Sequence, residues 1–160
     1  MQRILVLSVI VGLLVGCGTT ELRSQDNMGP QQHIAYTPGQ MQWEDGPASL
    51  PPGCEWVVLE GDPSEPGMFA MRLRFPDGYR IPPHWHPNYE RINVISGTFH
   101  LGMGGMFDED ALERFEAGSY TVMPSRMRHF VVAEGETVIQ ITTVGPWEIN
   151  YVNPADDPRR

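Results

Sequence analysis

The sequence predicts an all-β sandwich or barrel, and three observations carry that prediction. Short apolar or alternating segments recur along residues 55–152, the breaks between them carry turn chemistry, and the chain holds 17 glycines and 15 prolines in 160 residues. Closely spaced short runs of this kind suit many short strands. So many turn formers argue against a helical bundle. The length fits one domain with a sizeable core.

Taken in order, the runs fall at 55–60, 68–75, 79–81, 89–95, 98–103, 120–123, 129–133, 137–143 and 147–152. Between them stand Gly61-Asp62-Pro63, Pro76-Asp77-Gly78, Ser96-Gly97, Gly104-Gly105, Ala117-Gly118, Glu134-Gly135 and Gly145-Pro146. These are residue types that preset a turn dihedral or tolerate positive φ. One segment departs from the pattern. Residues 108–115, DEDALERF, place acids first and an arginine near the end, which predicts a short surface helix inserted near 108–115 between two hairpins.

Residues 1–17 read MQRILVLSVIVGLLVGC: an arginine, an apolar run from Ile4 to Val15, then small residues and a cysteine. That order predicts an export signal over 1–16, and the run is shorter than the ~20 apolar residues a spanning helix needs. Leu14-Val15-Gly16-Cys17 resembles the lipobox of bacterial lipoproteins, which implies lipidation of Cys17 and attachment to a membrane surface. Gly18, in place of an aspartate, resembles an outer-membrane sorting signal. Residues 17–54 then read as a lipidated tether and lead-in, rich in Gly, Pro, Gln and Ser, and 153–160 as a C-terminal tail. Cys54 is expected to be a small buried hydrophobe, with a free-thiol role left open.

The formal net charge is −9, and every one of the 11 basic side chains is an arginine. With no dense basic cluster, nucleic acid is a poor partner. Two cysteines are too few for a zinc ribbon or a disulfide scaffold, so metal chemistry has to come from histidine and carboxylate.

That chemistry is concentrated in Gly78–Gly97, GYRIPPHWHPNYERINVISG. His84 and His86 lie two apart and share one face of a strand, while Trp85 points the other way. Two imidazoles on one face can bind one cation. Glu90 follows beyond Pro87-Asn88, a pair suited to turning the chain, and can add a harder ligand. A further nitrogen is available at His129, which opens the apolar run HFVVA. His33 and His100 are expected to be solvated or structural.

The segment is similar to the first signature of the cupin family, G-x5-H-x-H-x3-E-x6-G, at Gly78, His84, His86, Glu90 and Gly97. The second signature is matched in part by Gly118, Pro124 and His129, with Arg126 where the family has glycine and Ala133 where it has asparagine. The resemblance implies a cupin-type jelly-roll β-barrel over 55–152, commonly a homodimer. It also implies one divalent transition metal held by His84, His86, Glu90 and His129. Such a donor set suits Fe, Mn, Ni, Cu or Zn.

If Glu90 faces inward, Ile92 and Val94 do too, and either Phe69, Met71 and Leu73 or Ala70, Arg72 and Arg74 join them, the apolar set being the natural core. Gln140 and Thr142 either line a pocket beside the metal or face solvent. Tyr79, Trp85 and Tyr89 are expected to pack rather than react, and Arg72, Arg74, Arg80 and Arg91 to form a solvated face. The expected function is a metal-dependent, oxygenase-like enzyme acting on a small molecule. The other reading is a non-catalytic binding or sensing module anchored at the bacterial envelope.

Overall fold

The computed structural model describes residues 33–160; the expected signal peptide and Cys17 lie outside the described residues. Among the described residues nine strands form an entirely antiparallel arrangement: β1 (Glu44–Asp45), β2 (Glu55–Glu60), β3 (Gly67–Phe75), β4 (Arg80–Trp85), β5 (Glu90–Met103), β6 (Leu112–Glu116), β7 (Tyr120–Met123), β8 (His129–Gly145) and β9 (Asn150–Tyr151). Among the described residues no helix is long and apolar enough to cross a membrane.

Two long strands make the jelly roll. β5 joins the runs expected at 89–95 and 98–103, and β8 joins those expected at 129–133 and 137–143. The second half of β8 pairs with β3 on one side and the first half of β5 on the other, and β7 and β2 extend that sheet. The first half of β8 pairs with β4 and the second half of β5, extended by β9 and β6. Each long strand therefore belongs to both sheets, with the crossover at Ser96-Gly97 and Glu134–Glu136, where the register is irregular. Gly97 sits there at φ 75°, and a Cβ would lie 2.4 Å from the Glu136 carbonyl oxygen and 2.7 Å from the Thr137 Cα. Only glycine fits. The fully buried Thr137 hydroxyl takes over the interrupted ladder, donating to the Thr98 carbonyl and accepting from the Thr98 amide.

Alternation decides the core. On β3 the side chains of Phe69, Met71, Leu73 and Phe75 are buried, and Ile139 and Ile141 on β8 and Ile92 and Val94 on β5 meet them. From the other sheet come Ile81, Phe99, Leu101 and Val131. Burying each large side chain stabilises the fold by about 1.5–3 kcal/mol.

Two expectations change. The 108–115 helix is a single 3-10 turn, Glu109–Ala111, capped by the Asp108 carboxylate, which accepts the Asp110 N–H at 3.0 Å. Leu112–Glu116 is then strand β6, zipped to β5 from Thr98 to Gly102. Eight residues are too few for a stable isolated helix, and an available sheet edge offers a full ladder instead. The compact unit runs from Ile34 to Arg160, so packing starts earlier than residue 55. Leu50 joins Cys54, which was expected to be buried, in the core, and Arg159 in the tail donates to the Ile149 carbonyl at 3.1 Å.

Candidate metal centre

β4 carries His84, and His86 follows one residue past its end. Its sequence RIPPHW places two prolines before His84, and the pairing with β8 slips between Ile81 and His84 because proline offers no ladder N–H. Past the slip, His84 lies directly opposite His129 of β8. Opposed residues of an antiparallel pair share a face, and both rings enter the barrel with centroids 4.2 Å apart. His86 follows on the same side, its ring 5.1 Å from His84 and 5.4 Å from His129. One ligating atom of each of the three histidines lies within 4.8 Å of the others, and all three residues are buried.

The orientation of each ring is set by the backbone. His84 Nδ1 lies 2.8 Å from the Pro82 carbonyl, His86 Nδ1 2.7 Å from the Glu148 carbonyl and His129 Nδ1 3.0 Å from the Met127 carbonyl. A carbonyl only accepts, so each Nδ1 carries the proton and each Nε2 presents a lone pair. Burial keeps all three rings neutral. Desolvation, reinforced by the neighbouring imidazoles, pushes His84 well below the usual histidine range. Desolvation brings His86 down to about 4, against the opposing pull of its hydrogen bond to the Glu148 carbonyl. It also lowers His129, against a partial opposing pull from Glu90.

Glu90 opens β5 opposite Met123 and is 4% exposed. Its Oε2 stands 3.5 Å from His86 Nε2 and 3.6 Å from His129 Nε2, yet no protein donor reaches it. With neutral rings these contacts are not ion pairs: lone pair faces lone pair. Desolvation raises the carboxyl pKa, partly countered by His129. A buried oxygen with no donor costs about 1–3 kcal/mol. The three nitrogens lie close enough together to share one divalent cation, and the Glu90 oxygen stands beside two of them. The residues fit a metal.

The centre opens onto a cavity of about 20 Å³, room for one water-sized occupant. Besides the four residues above it is lined by aliphatic and aromatic side chains, with Trp147 stacked on His86 at 16° between planes. Gln140 and Thr142 do not line it. They face outward with the polar side of β3, where Gln140 Oε1 accepts from Arg72 Nε at 3.1 Å, because Ile139 and Ile141 occupy the inward positions. Three remaining candidates have structural partners: Tyr79 stacks on Phe75 and donates to the Pro51 carbonyl, Arg126 lies over Trp85, and His100 meets Glu134; Tyr89, expected to pack, is exposed. Cys54 is buried and unpaired, its thiol pKa raised by desolvation. Trp147 was not legible as a site residue, since it belongs to no local motif and reaches the histidines from the far end of the chain.

A double-sheet jelly roll whose interior gathers three histidines and a glutamate from the H-x-H-x3-E and distal His positions defines a cupin. More narrowly, the chain belongs to the ChrR cupin-like domain family, whose model matches residues 31–148. A search of curated protein sequences finds no match. Among solved structures, the polyketide cyclase RemF from Streptomyces resistomycificus superposes with a TM-score of 0.64 at 17% identity, covering 80% of this chain and 91% of that one. A putative acetylacetone dioxygenase from Methylibium petroleiphilum gives 0.59 at 19% identity, covering 82% and 89%. An RmlC-like cupin from Shewanella frigidimarina gives 0.54 at 18% identity, covering 71% and 91%. At these identities the likeness concerns the fold.

Proposed function

We propose that the protein is an exported, lipid-anchored cupin that holds one divalent transition metal through His84, His86, Glu90 and His129 and transforms a small molecule, with oxygenase-like chemistry. The observation that carries this reading is the Glu90 Oε2 atom, buried and without a donor beside inward-facing imidazoles. A bound ion supplies Lewis-acid or redox chemistry toward an oxygen-bearing ligand. The chain's own residues do the rest. The backbone carbonyls hold the Nδ1 protons and aim the lone pairs, Glu90 brings the negative charge, and the apolar lining excludes water. No carboxyl or imidazole other than the four ligands lines the cavity, so no independent proton carrier of those types is built in. That favours chemistry centred on the metal.

A non-catalytic binding or sensing module is the second reading, and the cavity of about 20 Å³ favours it, because it leaves little room for an organic substrate. Anchoring through Cys17 at the outer membrane or its periplasmic side, and pairing as a homodimer, belong to the proposal on the grounds of the signal sequence and the family resemblance.

Elemental analysis of the purified wild type, His84→Ala and Glu90→Ala tests the site. About one equivalent in the wild type and a loss in both variants is expected; under a tenth of an equivalent in folded wild type refutes it. Oxygen uptake over a panel of phenolic, thiol and keto-acid compounds separates the two readings, since tight binding without turnover identifies the sensor. Cys17→Ser is expected to release the protein from membranes, and unchanged membrane association refutes lipidation.

A further inference from the structure

We infer that the indole N–H of Trp147 is the hydrogen-bond donor that receives an oxygen-bearing or anionic ligand in the metal cavity, which makes Trp147 a ligand-binding residue. The inference rests on the metal-site reading and adds to it the polarity and size of what binds there.

Trp147 lines the same cavity as the three histidines and Glu90. Its Nε1 is buried and has no protein acceptor. Every other side-chain N–H at the site is accounted for, because the three histidine Nδ1 protons go to the carbonyls of Pro82, Glu148 and Met127. Among the described residues that line the cavity, Trp147 is thus the one with a side-chain donor to spare. Asn150 also has an unpartnered buried nitrogen, but it sits opposite Trp85, on the side turned away from the histidines, and does not line the cavity.

The indole is held in place. The Trp147 amide donates to the Pro63 carbonyl at 2.7 Å, and the next residue supplies the Glu148 carbonyl that orients His86. Ile149 is buried in the core, and its carbonyl is held by Arg159. The ring stacks on His86 with centroids 5.8 Å apart. A rigid buried donor that no protein group satisfies repays its desolvation when a ligand acceptor arrives. The cavity of about 20 Å³ limits that acceptor to one water-sized atom, a free ligand or the oxygen tip of a larger one.

Fluoride, a water-sized acceptor, is the probe. The full chain, 15N-labelled and loaded with Zn(II), is titrated with fluoride, and the Trp147→Phe variant, which keeps an aromatic ring and removes the N–H, identifies the Trp147 indole signal among the four tryptophans. Zinc content is measured on the same samples. The expected result is equal zinc in both proteins, a downfield movement of the Trp147 indole proton on titration, and fluoride binding weakened about 10- to 100-fold in Trp147→Phe. Affinity is read in both proteins from the backbone amides of His84, His86 and His129. Equal fluoride affinity in the two proteins, a stationary indole signal, or zinc-loaded wild type that binds no fluoride overturns the Trp147 inference and leaves the metal site standing. Wild type that takes up no zinc overturns the metal site and the inference with it.

Discussion

Replacing Glu90 by glutamine is expected to stabilise the metal-free protein and to abolish its response to metal. In the free protein the Glu90 carboxylate is buried at 4% exposure and its Oε2 has no donor, while His86 and His129 Nε2 stand 3.5 and 3.6 Å away as lone pairs. An amide of the same shape removes the buried charge and offers N–H donors to those nitrogens. Relieving one buried unsatisfied group is worth about 1–3 kcal/mol. At roughly 4 °C per kcal/mol for a domain of this size, Tm rises by about 4–12 °C. The metal response runs the other way. Metal at a hundredfold excess over its Kd stabilises the wild type by about 2.7 kcal/mol, close to ~10 °C, whereas Glu90→Gln shows little or no rise. Scanning calorimetry of chelator-stripped and metal-supplemented samples of both proteins gives the four melting temperatures. A stripped Glu90→Gln protein that melts below the stripped wild type, or that gains as much as the wild type from metal, refutes the claim that this carboxylate is placed for a cation.

Three further outcomes are expected. Gly102→Ala places a Cβ 2.1 Å from the ring of Phe130, which Phe107 covers, and the overpacking costs about 1–3 kcal/mol or more in urea unfolding; an unchanged midpoint contradicts it. Arg126 adopts φ 64° in the turn before His129, so Arg126→Val, β-branched, loses about 1–2 kcal/mol, while Arg126→Gly stays within about 1 kcal/mol of wild type; equal stability of the two variants counts against the left-handed turn. Metal-stripped protein loses stability as pH falls from 6.5 toward 4, because His86, held down to about 4, is protonated first in the unfolded chain, a difference of about 3 kcal/mol. His84 and His129 add in the same direction. The raised Glu90 carboxyl opposes them, since its stability contribution is lost as pH rises above 4.5. Urea midpoints are therefore measured in the Glu90→Gln background, where a flat profile between pH 7.5 and 4.5 refutes the assignment.

Much of the site was legible because its determinants are local. His84 and His86 share a face by strand parity, and Glu90 follows across one short turn. His129 required the second signature, which is matched only in part; where the family has glycine, Arg126 adopts a left-handed dihedral with its guanidinium over Trp85 and its amide donating to the His86 carbonyl. Parity also decided between open alternatives: where Ile139 and Ile141 point inward, Gln140 and Thr142 cannot. What local pattern could not deliver was the partner of a segment. Residues 108–115 look helical in isolation and become strand because β5 offers an edge. Leu50 looks like lead-in, yet it joins the core beside Leu73, Phe75 and Ile81, which lie far away in sequence. Trp147 escaped for the same reason.

The hydrogen bond from His86 to the Glu148 carbonyl spans 62 residues of sequence, whereas those of His84 and His129 reach only two residues back. Two rings are therefore aimed as soon as their own strands form. The third stays unaimed until Glu148 has been made and docked. A nascent or truncated chain ending before Glu148 presents at most two correctly aimed imidazoles, too few to compete for a scarce ion. The order of the chain thereby ties the orientation of the third imidazole to completion of the barrel.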